Sequence, residues 1–138
     1  MEIRKATIDD LVSVYYLAKE MADSFDVEYE AFQTSFLKNF ESEDAVILIS
    51  ETYSRINGYL LGFSHNAFFA NGKVSWLEEM YVDEEYRHRG IGRLLMTGFE
   101  QWSREHDCKL VALATSRAGE FCKKIGFEKS ATYFIKKL

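Results

Sequence analysis

Leu77-Glu78-Glu79-Met80-Tyr81-Val82-Asp83-Glu84-Glu85-Tyr86-Arg87-His88-Arg89-Gly90-Ile91-Gly92-Arg93-Leu94-Leu95-Met96 joins two periodicities through one short basic loop. Upstream, Val74 to Val82 is a β-rich run. Downstream, Ile91, Leu94, Leu95, Gly98 and Trp102 fall on one face of a helix that ends near His106. Between them, Arg87 to Arg93 holds three arginines and two glycines in seven residues. A loop entering a helix exposes unpaired N–H groups at the positive end of the helix dipole, and such a place binds phosphate. Gly90 and Gly92 leave the backbone open to an anion, and Arg87, Arg89 and Arg93 add charge-assisted contacts. No G-x-x-x-x-G-K-[ST] is present, so the loop is not a P-loop. Solvated arginines around a tight turn are the plainer reading of the same residues.

Working outward, Leu110 to Ala114 reads as a buried strand, so Trp76 to Ala114 forms a strand, glycine loop, helix and parallel strand. Asn71-Gly72 marks a hairpin between Phe63–Phe69 and the Val74 strand. Earlier still, Ala45 to Ser50 and Tyr59 to Phe63 read as strands, with their turn near Tyr53 to Arg55. Thr7-Ile8-Asp9-Asp10 has the form of a helix start, and Leu11, Val14, Tyr15, Ala18 and Ala22 follow at helical spacing, predicting a helix from about Ile8 to Met21. Tyr29, Phe32, Phe36, Leu37 and Phe40 predict a second helix. After the parallel strand, Ala118, Phe121, Cys122 and Ile125 predict a short helix stopped by Gly126, and Thr132 to Lys136 a terminal strand.

The 138 residues, 47% hydrophobic and 28% charged, have the balance of one globular domain covering 1–138. No apolar run approaches the roughly 20 residues of a membrane span. Cys108 and Cys122 form no CxxC pair, and His65, His88 and His106 have no metal-ligand spacing, so the expectation is a reduced, cytoplasmic protein without a metal. The net charge of -5 argues against nucleic acid. It is also unevenly spread: Asp9 to Asp44 contains ten acids against two lysines, a local -8 that leaves +3 for the remainder. Asp23, Asp26 and Glu28 cluster in the connection between the first two helices, where capping needs few of them. They are candidates for binding a cation, with a solvated acidic face as the alternative.

The run from Leu77 to Met96 resembles the acetyl-CoA-binding signature of the GNAT superfamily of N-acetyltransferases, (Gln/Arg)-x-x-Gly-x-(Gly/Ala). Ala118-Gly119-Glu120-Phe121-Cys122-Lys123-Lys124-Ile125-Gly126-Phe127 is similar to that family's A-x-x-F-Y-x-x-x-G-F. The resemblance implies an α/β fold with a mixed, mostly antiparallel sheet, helices on both faces and two splayed parallel central strands. It implies acetyl-CoA as co-substrate, with pyrophosphate on the amides of Arg87, His88, Arg89, Gly90, Ile91, Gly92 and Arg93, and pantetheine along Met80, Tyr81 and Val82. It implies direct acetyl transfer to an amine, which needs a base because a free amine is almost fully protonated at pH 7.

Glu78 is the first candidate base, since Leu-Glu-Glu-Met-Tyr-Val is similar to a strand of polyamine acetyltransferases in this family. Glu79 is the alternative, and two solvated strand acids the plainer one. His88 stands where glycine is common. Thr115 stands where many members carry asparagine toward the CoA arm. Cys122 takes the place of a tyrosine that protonates the leaving thiolate, and serves either as that acid or as a buried apolar residue. The acceptor is expected to be a small cationic amine, with a protein amino group or a non-catalytic acyl-CoA-binding module as alternatives. The resemblance also admits a homodimer.

Overall fold

A computed structural model describes residues 1–22 and 25–138. Five strands form one sheet in the order β1-β2-β3-β4-β5: β1 (Glu2–Lys5), β2 (Ala45–Thr52), β3 (Arg55–Ala67), β4 (Gly72–Val82) and β5 (Cys108–Leu113). The first four pair antiparallel, and β4 pairs parallel to β5. Helices α1 (Leu11–Met21) and α2 (Tyr29–Glu41) cover one face, where Leu11, Val14, Leu17 and Phe36 pack on Ile47, Ile49 and Tyr59. Helix α3 (Ile91–Glu105) covers the other, its Leu95, Met96 and Phe99 packing on Leu48, Leu60 and Leu77. Gly62 is required there, because a Cβ at that position would run into the Phe99 ring.

The helix start at Thr7 takes the expected form. The Thr7 amide donates to Asp10 Oδ2 at 2.7 Å, after which a single 3₁₀ turn (Ile8–Asp10) leads into α1. Asp10 is buried and takes a bidentate pair of bonds from Arg4 at 2.7 and 3.0 Å. That guanidinium holds the Asp10 carboxyl below the usual carboxylate range. Arg4 belongs to β1, a strand that the sequence pattern alone does not mark. Its alternation is short, and only pairing with Leu48 to Glu51 of β2 makes it a strand.

The hairpin turn between β2 and β3 falls at Tyr53 and Ser54, whose φ values are 50° and 64°. Asn57-Gly58 lies inside β3 instead. Ser50 faces Gly58 and Glu51 faces Ile56, so Asn57 is the extra residue of a β-bulge. Tyr59–Phe63 and Phe63–Phe69, read as separate runs, are largely one continuous strand.

Helix α4 (Gly119–Lys124) ends in a Schellman motif: Gly126, at φ 99°, donates to the Lys123 carbonyl at 3.2 Å, and Phe127 to that of Cys122 at 2.9 Å. The terminal strand expected over Thr132 to Lys136 does not form. There Tyr133 stacks on Trp76 of β4 with centroids 6.3 Å apart, and the Lys137 ammonium sits 5.2 Å from the Phe25 ring. The segment makes these ring contacts without ladder bonds, and β5 is the outer strand of the sheet.

Candidate active site

Pairing between β4 and β5 ends at Leu77 and Leu113, whereas β4 continues to Val82. The β5-facing edge of Glu78 to Val82 therefore opens as a wedge. A bulge marks the point of departure: Leu61 faces Glu79 and Gly62 faces Leu77, leaving Glu78 as the extra residue. A Cβ on Gly92 would stand 3.6 Å from the Phe121 ring and 3.8 Å from the Met80 methyl. The glycine loop, β4 and α4 thus converge at the wedge, and both sequence motifs meet there.

The loop is held from several sides. The Asp83 amide donates to the Asn57 carbonyl at 2.8 Å, and Asn57 is fully buried, its side chain bonded to Ser50 and Thr52. Asp83 caps the turn Glu84–Tyr86 by accepting from the Glu85 amide at 3.0 Å. Arg87 Nε donates to the Val82 carbonyl at 3.0 Å while its guanidinium lies 5.2 Å from the Tyr81 ring. Arg55 and Arg89 both lie over Tyr86, at 5.5 and 5.2 Å.

His88 and Gly90 have positive φ, 65° and 83°. The left-handed geometry explains why glycine suits the His88 position. The Leu94 amide makes the first bond of α3, to the Gly90 carbonyl at 3.1 Å, so the Ile91, Gly92 and Arg93 amides precede the helical ladder. No atom lies within 4 Å of where a Gly90 Cβ would stand. Free amides, open space and exposed arginines fit a pyrophosphate.

Glu79 and Tyr81 lie on the α1/α2 face of β4. Buried Tyr59 donates to Glu79 Oε1 at 2.7 Å; its burial and the Glu79 charge push the phenol pKa upward. Tyr81 donates to Glu20 Oε2 at 3.3 Å, tying the end of α1 to β4, and burial with the Glu20 charge raises its pKa as well. Glu78 is exposed at the bulge. Asp26 and Glu28 are exposed in the connection after α1, which is pinned by the Tyr15 hydroxyl on the Val27 carbonyl at 3.3 Å. Asp23 lies outside the described residues.

Thr115 Oγ1 accepts from the Ala118 and Arg117 amides at 2.9 and 3.3 Å, so its hydroxyl serves the turn into α4. Cys122 is buried, and burial pushes its thiol pKa up. The sequence reading missed Tyr59, Glu20, Asn57 and Arg55. Only Asn57 carried a signal, an Asn-Gly pair inside a β-rich run, which marks a bulge where no turn fits. Among the described residues no cluster of three or more metal-binding side chains occurs, and no helix is long and apolar enough to cross a membrane.

The profile described as Acetyltransferase (GNAT) family matches residues 8–127. The chain belongs to the GNAT acetyltransferase family. This GNAT protein is accordingly an N-acetyltransferase that uses acetyl-CoA. It is similar in fold to a transcriptional regulator from Bacillus halodurans C-125, with a TM-score of 0.89 and 19% identity over 99% of each chain. It is also similar to glucosamine-6-phosphate N-acetyltransferase from Arabidopsis thaliana, with a TM-score of 0.86 and 23% identity over 99% of this chain and 97% of that one. A third similar structure is the aminoglycoside N-acetyltransferase AAC(6')-Iy in complex with CoA, with a TM-score of 0.88 and 17% identity over 99% and 93% of the two chains. No curated protein matches the sequence significantly.

Proposed function

We propose that the protein, as one acetyltransferase domain over residues 1–138, transfers acetyl directly to a primary amine of a small cationic molecule. The carrying observation is the Glu79 carboxylate beside the β4–β5 wedge, on the same face as Glu20 in the last turn of α1. The amides from Arg87 to Arg93 hold the CoA pyrophosphate, aided by Arg87, Arg89 and Arg93. Met80, Tyr81 and Val82 line the pantetheine arm. Acetyl-CoA supplies the acetyl group as a reactive thioester. Glu79 Oε2, which has no hydrogen bond among the described residues, takes the proton that an attacking ammonium must lose. Glu78 is the second reading, because its exposed place at the bulge also gives access to the wedge.

Asp23, Asp26 and Glu28 recognise the acceptor's further positive charges. The names of two similar structures, acting on glucosamine-6-phosphate and on aminoglycosides, support amine-bearing small molecules as the class. The buried Cys122 thiol supports a packing role over an acid, and Thr115 contributes through the turn it caps. Unpaired Cys108 and Cys122 fit a reducing cytoplasm, and exposed Phe68, Phe69 and Phe134 fit a homodimer surface.

The test is a panel of amines with acetyl-CoA, following thiol release, comparing spermidine, a monoamine and an acidic amino acid at low and high salt. Spermidine should have the highest kcat/KM, falling as salt screens the exposed acids beyond a Debye length of about 8 Å. Equal kcat/KM for all three acceptors overturns the cationic assignment.

A further inference from the structure

The buried phenol of Tyr59 is a group for which the amide loop and the acetyl carrier have no use. In register, Tyr59 faces Tyr81 and Leu61 faces Glu79, so the phenol reaches Glu79 diagonally across the β3–β4 ladder. At 2% exposure it needs an acceptor, and it takes one oxygen of a carboxylate at 2.7 Å, leaving the other free. We infer that Tyr59 is a positioning residue: its hydroxyl fixes the Glu79 carboxylate in one rotamer through Oε1, so that Oε2 faces the acceptor ready to take a proton. This rests on the assignment of Glu79 as base.

A glutamate on an open strand edge samples several rotamers, and a short bond from a rigid, buried ring selects one of them. Charged or titratable groups near this end of β4 are Tyr81, Glu20 of α1 bonded to it, and Arg87 and Asp83 of the loop, with Glu78 exposed at the bulge. Among the described residues Tyr59 alone hydrogen-bonds the Glu79 carboxylate.

Tyr59→Phe keeps the ring and removes the oxygen. In the full chain, with the best amine and acetyl-CoA, kcat should fall about tenfold with the acetyl-CoA KM unchanged. On a Glu79→Gln background the same change should cost nothing further, because the phenol acts only through the carboxylate. A thermal scan checks folding, and Glu79→Asp supplies a second variant in which a shortened acid retreats from the phenol and should show the same fall in kcat. If Glu79→Gln is inactive while Tyr59→Phe retains wild-type kcat, Tyr59 is a core residue and the inference falls alone. If Glu79→Gln is fully active, the assignment of the base falls and takes the inference with it.

Discussion

Gly90 concentrates the consequences of the loop geometry in one residue. It sits at the N-cap of α3 with φ 83° and ψ 9°, and no atom lies within 4 Å of where its Cβ would be. Gly90→Val therefore meets no clash; its cost is the backbone's alone, about 2 kcal/mol for a β-branched residue held left-handed. For a chain of this size that lowers Tm by about 8 °C if the loop keeps its shape. If the loop relaxes to negative φ instead, the Ile91 and Gly92 amides turn and lose charge-assisted bonds to phosphate, each worth roughly 1.5–3 kcal/mol. Either route predicts acetyl-CoA binding weakened by at least about tenfold, since even the strained loop places a branched side chain at the anion's approach. Calorimetric titration with acetyl-CoA, beside a thermal scan of the apo protein, reads both effects. Affinity within twofold of wild type would refute the placement of the phosphate at this helix start. Gly92 differs, because it is helical and its added Cβ would make ordinary contacts at 3.6 and 3.8 Å. Gly92→Ala should raise Tm through helix propensity, by about 1 kcal/mol of stability.

Glu79→Gln should lower kcat by roughly 100-fold or more with little change in acetyl-CoA affinity, and Glu78→Gln by much less; the reverse ranking moves the base to the bulge residue. Asp10→Asn should destabilise by about 2 kcal/mol at pH 7, a figure reduced because Arg4 is partly exposed. The Asp10 pKa is depressed in the fold, so its contribution is complete above the unfolded value of about 4 and lost as pH falls below it. The Tm gap between wild type and Asp10→Asn should accordingly shrink between pH 7 and pH 3. Gly62→Ala should cost about 3 kcal/mol, read by urea unfolding, because the Phe99 ring has no room to retreat within a buried cluster. Cys122→Ala should keep kcat within about threefold while lowering Tm, whereas a large fall in kcat would make the thiol a proton donor.

The strand, loop and helix from Val74 to Trp102 were legible because their signals are local. Alternation and helical spacing are fixed by backbone geometry, and Gly90 marks a left-handed residue that few others accept. Both family motifs were legible for the same reason, each lying within one short stretch. The acidic stretch from Asp9 to Asp44 could be counted, but counting charges does not say which of them faces the wedge. Glu20, which is the acid that bonds Tyr81, had nothing in its neighbours to distinguish it.

The sequence by itself determined the order and type of most elements, the basic loop at the start of α3 and the Ala118 to Phe127 motif, while the fold brought the two together at Gly92 and Phe121. Tertiary structure decided what depends on residues distant in sequence. Register across β3 and β4 put Tyr59 on Glu79 rather than Glu78, because a single extra residue at the bulge resets which acid faces the buried phenol. A partner made a strand of Glu2–Lys5, which has little pattern of its own, while Thr132 to Lys136 pairs with no strand and meets β4 through the Tyr133 ring on Trp76. A β-strand is satisfied only by the hydrogen bonds of its neighbours, so its pattern states a preference and the fold grants or refuses it.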